Sequence, residues 1–350
     1  MFKSLATISI VSLIMIGCGS KSNHSETNYI VKRNFEVIDA TSKDSNERIS
    51  SLVFHYTALN FEQSLRVLTS GGVSAHWLIP ETGNSIYKLV DENKRAYHAG
   101  VSSWKRRTDL NDTSVGVEIV NLGYKCKSNP SSHQCSKEDK EWFPYTEDQI
   151  KLIVELGVDI QKRYNIDPLC VVGHSDIALG RKVDPGPYFP WQTLSQNGVG
   201  AWVSEVEIME QFKLIEQEII NPISDLTVQT RLYEFGYDIK NSNVTDISVD
   251  NEISNKVYNN IFDKEGTIKS WKKIPFTRLD LLSKLNDFVN LTELKLFDAK
   301  LSNTAKEAFL MHYLPEDFLS NKEIENKKIL ATIQALLLKY PSRAKIGCGF

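Results

Sequence analysis

Five residues in three separated stretches carry groups suited to hydrolytic chemistry. The first stretch, VVGHSDIALGRKVDPGPYFPW (Val171–Trp191), holds His174, Lys182 and Asp184. Two apolar residues lead into it and a Pro-Gly-Pro turn follows Asp184. That is the pattern of a buried strand running out into a punctuated loop, a common way to hold side chains at a site. A neutral imidazole and a carboxylate are both good zinc ligands. Lys182, two residues before Asp184, projects near them if the loop is extended there. Alone, a His-x9-Asp pair is a frequent coincidence. Two further stretches add to it: His55 ends the apolar run of SLVFHY, and Glu118 sits inside the run of SVGVEIV. His, Glu, His, Lys and Asp together make a complete set for hydrolytic zinc chemistry.

The elements that must position these groups read as an alternating α/β pattern. Residues 50–56 alternate and then turn apolar, which predicts a central strand delivering His55 to the sheet end. Residues 60–70 predict a helix with Phe61, Leu65 and Leu68 on one face, stopped by Gly71-Gly72. Residues 75–79 and 85–89 predict a strand pair around a Gly-Asn turn. His76 falls in the first of these and reads as a structural histidine. In residues 115–120, Val117 and Ile119 alternate against Gly116 and Glu118, so the apolar pair faces a helix layer and Glu118 looks out of the opposite face. A mid-strand carboxylate among apolar residues costs free energy unless it has a partner or a job. Residues 146–164 predict a helix with Thr146 as N-cap and Glu147-Asp148 in its first turn. Its positions Ile150, Ile153, Val154, Gly157, Val158 and Ile160 signify core packing. Strand 169–172 closes a mixed central sheet flanked by helices.

The stretches Phe54–Ile79, Arg95–Asn121, Phe143–Ile150 and Gly173–Trp191 resemble the type 2 N-acetylmuramoyl-L-alanine amidases, most closely their AmiD-like lipoprotein branch. The resemblance covers residues 35–200 densely and in order. It implies a zinc amidase domain over residues 35–203, acting on peptidoglycan or muropeptides at the amide between N-acetylmuramic (or anhydro-muramic) acid and L-alanine. By that resemblance His55, His174 and Asp184 ligate Zn2+, Glu118 is the catalytic carboxylate, and Lys182 assists at the transition state. It places the segment AYHAG at the rim of the cleft, which makes His98 a candidate substrate-side residue. The chain departs from the family pattern at Leu179, where a Pro is usual, and at Asn60 and Trp77; none of these removes a chemical group. Two rival functions are a peptidoglycan binder that does not cut, and a zinc peptidase acting on the stem peptide. The first is opposed by the retention of all five groups, the second by the long match through Ala58–Ile79.

The chain has 350 residues, 41% of them apolar, and a net charge of −3. Near-neutral charge leaves no footprint for nucleic acid and no field that would draw the protein to an anionic polymer. A monomer is expected. Residues 1–18 read as a lipoprotein leader: Lys3, then an apolar segment from Leu5 to Ile16 too short to span a membrane, then Gly17-Cys18. Met15 stands where Leu dominates in such motifs. A lipid on Cys18 would anchor the protein to a membrane through the polar tether 19–34. Gly19 is not the Asp that retains lipoproteins at the inner membrane, so the periplasmic face of an outer membrane is expected if the source is Gram-negative. Cys126 and Cys135 bracket a polar loop in a segment where the family tolerates insertion. In an oxidising compartment they are candidates for a disulfide worth about 2–3 kcal/mol. Cys170 reads as a buried thiol and Cys348 as an exposed one.

After Trp202 the pattern becomes helical. Residues 204–225 read as a linker helix. Residues 226–345 resemble small peptidoglycan-binding helical domains at LTVQTRLYEFGYDI (Leu226–Ile239) and AFLMHYLPEDF (Ala308–Phe318), with a closing helix over 324–340. An Asn- and Lys-rich insertion at about 243–303 matches nothing in them.

Overall fold

The computed structural model describes residues 48–132, 134–218, 223–239, 298–321, 323–341 and Cys348. The expected leader with Cys18, the tether, and the insertion up to residue 297 lie outside the described residues.

The strands in chain order are β1 (Ser51–Tyr56), β2 (Trp77–Ile79), β3 (Tyr87–Lys88), β4 (Ser103–Trp104), β5 (Arg107–Thr108), β6 (Ser114–Ile119), β7 (Tyr124–Cys126), β8 (Lys140–Trp142) and β9 (Val171–Gly173). Five form one mixed sheet in the order β3-β2-β6-β1-β9. β1 runs parallel to β6 and β9, β6 parallel to β2, and β3 pairs antiparallel at the edge. Sheet strands covered on both faces read as near-continuous apolar runs, as SLVFHY and SVGVEI do. The β1–β6 register sets His55 opposite Glu118. Paired residues on neighbouring strands project from the same face, so this register alone brings those two groups together.

Helices α1 (Phe61–Thr69) and α2 (Glu147–Arg163) follow β1 and β8. Asn60 caps α1 by accepting from the Gln63 amide. Thr146 and Gln149 form a reciprocal capping box on α2, with Glu147 and Asp148 at its positive end and Lys162 and Arg163 at its negative end. The buried face of α2 comprises Gln149, Leu152, Ile153, Leu156, Gly157 and Ile160. This corrects the sequence reading, which omitted Leu152 and Leu156; Ile150, Val154 and Val158 are only half-buried. The capping box and the bond from Gln149 Nε2 to the Val120 carbonyl (2.6 Å) turn Gln149 inward and rotate the helix accordingly. Beneath it Phe54 is fully buried, 5.0 Å from Phe189 and 6.0 Å from Trp191 between ring centres. Truncating such a ring to Ala costs about 3–5 kcal/mol.

Short helices α3 (His174–Ile177) and α4 (Trp191–Gln196) flank the loop after β9. The later helices are α5 (Glu205–Glu218), α6 (Asp225–Phe235), α7 (Ala299–Tyr313), α8 (Pro315–Leu319) and α9 (Asn326–Lys339). α5 lies along α9 and is joined to it by Lys327–Glu216 and Lys339–Glu207 ion pairs at 3.1 and 3.0 Å. These helices share one continuous core with the sheet, from Leu52 through Trp104, Phe235 and Phe309 to Leu336. Trp104 packs edge-on to Tyr237 with ring centres 4.9 Å apart.

Cys126 and Cys135 are bonded, closing the loop of the β7–β8 hairpin. The reading of Cys170 as a free thiol and Cys348 as exposed is overturned: the two form a disulfide, and Cys348 is 2% exposed. Cys170 sits at the foot of β9, where the far end of the chain returns to it across 178 positions. No local pattern reports such a return.

Candidate active site

Two strand ends and one loop build the site. β1 delivers His55, β9 opens into α3 and delivers His174, and the loop after α3 curls back to deliver Asp184. The return is close. The Ser175 amide donates to the Asp184 carbonyl at 2.8 Å, and Pro185 packs so tightly on Gly173 that a Cβ there would lie 2.6 Å from Pro185 Cδ. Glycine before His174 is therefore a steric requirement of bringing Asp184 alongside it. His55 Nδ1 lies 2.9 Å from His174 Nδ1 and 3.2 Å from Asp184 Oδ2, and His174 Nδ1 lies 3.1 Å from the same oxygen. All three residues are buried.

Burial and the neighbouring His174 push the His55 imidazole down to about 4, against the pull of Asp184. Burial works to raise Asp184, yet His174 and His55 beside it hold its carboxyl well below the usual carboxylate range. His174 Nε2 faces the Ala99 carbonyl at 3.1 Å. A carbonyl only accepts, so Nε2 carries the hydrogen and a neutral ring turns a bare Nδ1 towards Asp184. Two lone-pair atoms about 3 Å apart repel unless a cation lies between them. Two imidazole nitrogens and one carboxylate oxygen form a donor set that zinc takes, and three protein ligands leave a position for water or substrate. The residues present fit a zinc ion.

Glu118 stands beside this group on the same sheet face. One side of its carboxyl borders the cleft, while its Oε2 is shut off from solvent and meets no hydrogen-bond partner among the described residues. Burial, reinforced by Asp184 and opposed by Lys182, pushes its pKa up to about 8. Lys182 is exposed on the rim. These groups line a cleft of about 160 Å³ whose outer walls include Tyr56, Leu59, Val73 and Tyr97. A carboxylate with an unmet oxygen, next to a cation site and open to a cleft, can exchange a proton with a water there.

The model of the family described as N-acetylmuramoyl-L-alanine amidase matches residues 45–187, which contain all five groups. The N-acetylmuramoyl-L-alanine amidase AmiD of Escherichia coli K12 is 37% identical over 237 residues, covering 65% of this chain and 80% of that protein. The chain belongs to the N-acetylmuramoyl-L-alanine amidase family. Within it, the 1,6-anhydro-N-acetylmuramyl-L-alanine amidase AmpD of Haemophilus influenzae is 37% identical over 121 residues, 34% of this chain and 55% of that protein. AmpDh3 of Pseudomonas aeruginosa, solved with an anhydromuramic pentapeptide, superposes with a TM-score of 0.61 at 31% identity, covering 88% of this chain and 100% of that one. E. coli AmiD, solved with the substrate anhydro-N-acetylmuramic acid-L-Ala-D-gamma-Glu-L-Lys, gives 0.59 at 31%, covering 86% and 93%. Both superpositions reach well beyond residues 45–187, so the helical half is part of the shared architecture.

Of the histidines weighed from the sequence of this family member, His76 is structural. Its Nδ1 accepts from the Gly116 amide at 2.9 Å and its Nε2 faces the Lys94 carbonyl at 3.2 Å. His98 borders the cleft but is buried, with Nδ1 3.0 Å from His55 Nε2, so it meets a metal-site histidine directly. The Cys126–Cys135 loop supplies none of the groups that line the cleft. Asp176 was missed. It is fully buried two residues after His174; Oδ2 accepts from the Gly173 amide (2.7 Å) and His312 Nδ1 (2.8 Å), and Oδ1 from the Tyr237 hydroxyl (2.7 Å). A carboxylate between His174 and the apolar Ile177-Ala178 was the available signal; its partners, from α7 and the turn after α6, were not visible.

Proposed function

We propose that this cleft hydrolyses the amide joining the lactyl group of N-acetylmuramic or 1,6-anhydro-N-acetylmuramic acid to L-alanine of peptidoglycan stem peptides, and that it does so as a zinc enzyme. The observation that carries the reading is the convergence of ligand atoms from His55, His174 and Asp184 at 2.9–3.2 Å beside the unpartnered oxygen of Glu118. Family membership and two superposed relatives solved with anhydromuramic peptides support the substrate class.

In this reading His55 and His174, through Nδ1, and Asp184, through a carboxylate oxygen, hold the ion. Zinc supplies Lewis-acid polarisation of the scissile carbonyl and makes a nearby water more acidic. Glu118 takes a proton from the attacking water and hands it to the departing L-alanine nitrogen. It must be ionised for the first step, and Lys182 acts in that direction. Lys182 also offers a fixed positive charge to the oxyanion that develops on the carbonyl. The half-buried Tyr56 and Leu59 restrict water at the cleft wall.

The test is mass spectrometry of products from defined muropeptides incubated with the zinc-loaded chain. The expected products are an intact stem peptide with a free L-alanine amine and a muramic acid with a free lactyl carboxyl. Cuts inside the stem would move the assignment to a peptidase, and binding without products would make the protein a peptidoglycan-binding module.

We also propose that Cys18 carries a lipid and holds the enzyme at the cell envelope, on the periplasmic face of the outer membrane if the source is Gram-negative. The leader pattern supports this. Four of the five cysteines pair in two bridges, as suits an oxidising compartment, which leaves only Cys18 outside them.

A further inference from the structure

We propose that His98 is a positioning residue of the metal centre: it dictates which nitrogen of His55 bears the hydrogen and so turns the bare nitrogen to the ion. The inference rests on the zinc reading above and adds a role for a residue outside the ligand set.

The assignment follows from counting hydrogens along one chain of contacts. Ser114 Oγ lies 2.6 Å from the Leu110 carbonyl and 3.2 Å from His98 Nε2. The carbonyl can only accept, so the hydroxyl hydrogen points to it and the oxygen is left to accept from His98 Nε2–H. Among the described residues the nitrogens of this buried ring face Ser114 Oγ and His55 Nε2 and no carboxylate that would hold a second proton, so the ring is neutral. A neutral ring has one N–H, so His98 Nδ1 is an acceptor. It faces His55 Nε2 at 3.0 Å, which must therefore be the donor. His55 Nδ1 is then bare and joins the bare His174 Nδ1 and Asp184 Oδ2.

The same segment disciplines the second histidine, because the Ala99 carbonyl accepts from His174 Nε2. One side chain holds both residues in place: Asn111 Oδ1 accepts from the His98 amide at 3.0 Å and from the Ala99 amide at 2.8 Å. The strand opposite is cut to fit. A Cβ on Gly116 would lie 2.4 Å from His98 Cγ, so only glycine lets the ring lie against β6. Partners that fix the tautomer of a metal-binding histidine typically change metal affinity 10- to 100-fold when removed.

The experiment measures zinc dissociation constants of the full chain by chelator competition for the parent, His98→Asn and His98→Phe. Asparagine keeps an acceptor atom near the place of Nδ1, whereas phenylalanine keeps the ring shape without one. His98→Phe should weaken zinc binding about 10- to 100-fold, with His98→Asn within about threefold of the parent. Equal affinity in parent and His98→Phe, or equal loss in both variants, overturns the proposal while leaving the zinc reading intact. A parent that takes up no zinc overturns both. Should His98→Phe fail to fold, nitrogen-15 spectra of histidine-labelled parent decide the matter: His98 must be neutral with its hydrogen on Nε2, and a hydrogen on Nδ1 or a doubly protonated ring refutes the assignment.

Discussion

Glu118 holds a carboxyl whose inner oxygen is shut off from solvent and meets no donor among the described residues, and its consequences differ with and without metal. In the metal-free chain its pKa of about 8 exceeds the ordinary value of 4.5 for an unfolded glutamate. Between those values the unfolded chain releases a proton that the folded chain keeps, so stability falls as pH rises through that window. The total is on the order of a few kcal/mol, at about 1.4 kcal/mol per unit. Thermal melts of the metal-free parent from pH 5 to 8 should therefore decline more steeply than those of Glu118→Gln, and parallel curves would contradict the buried-carboxyl account. With zinc restored, Glu118→Gln should retain near-parental metal content while losing about 10²- to 10⁴-fold in turnover. Lys182→Ala should likewise keep the metal and lower kcat more than it raises KM, as expected of a group that acts mainly on the developing oxyanion. Metal analysis and amide cleavage on the same preparations decide between these roles; loss of zinc from Glu118→Gln would make the residue a ligand instead. The five residue types were recognisable in the sequence because strand alternation and the Gly/Pro-marked loop are local patterns. The direction in which His98 points was not, because it depends on Ser114 and on the missing side chain of Gly116.

At the scale of elements, the loop carrying His174 is steadied from the far side. Asp176 is the hinge of that support, accepting from Gly173 next to the metal site and from His312 and Tyr237 in the helical half. The His312 ring lies flat on Trp191 at 3.7 Å between centres, so α7 grips both ends of the 173–191 loop. Asp176→Asn puts an amide N–H against one of three existing donors in a dry site, and should cost about 3 kcal/mol or more. Tyr237→Phe removes one donor of three and should cost about 1–2 kcal/mol. Urea titrations followed by near-ultraviolet dichroism would measure both, and a cost for Asp176→Asn below about 1 kcal/mol would show that the contact is idle. The strands of the central sheet and the helices α1 and α2 were read from the sequence to within a residue or two, as with α2, expected at 146–164 and found at Glu147–Arg163. The short hairpins β4–β5 and β7–β8 were not read, and the linker helix expected over 204–225 is found as α5 at Glu205–Glu218. Caps and periodicity are short-range signals. The Asp176 contacts span 61 and 136 positions, and nothing within either stretch encodes the other.

At the scale of the whole molecule, sheet and later helices behave as one body because their buried residues form one cluster. The proposed membrane attachment rests on the leader pattern and Cys18, and among the described residues no helix is long and apolar enough to cross a membrane. Cys18→Ser should move the protein from the membrane pellet to the soluble fraction; unchanged fractionation would remove the lipid from the account. The Cys170–Cys348 bridge joins positions 178 apart, and a closed loop of that size restricts the unfolded chain by about 5 kcal/mol. Its covalent meaning goes further. Between those two cysteines the backbone is a ring, and a ring cut once is still one molecule. A protease that severs any bond from residue 171 to 347, the insertion included, would produce a nicked enzyme whose pieces stay tethered at an effective concentration that freely diffusing fragments do not reach. Such a nick should be invisible on a non-reducing gel and resolve into two bands only after reductant. Until then an enzyme cut outside the 173–191 loop and the helices that hold it should go on working, a tolerance of damage useful wherever secreted proteases share the same compartment.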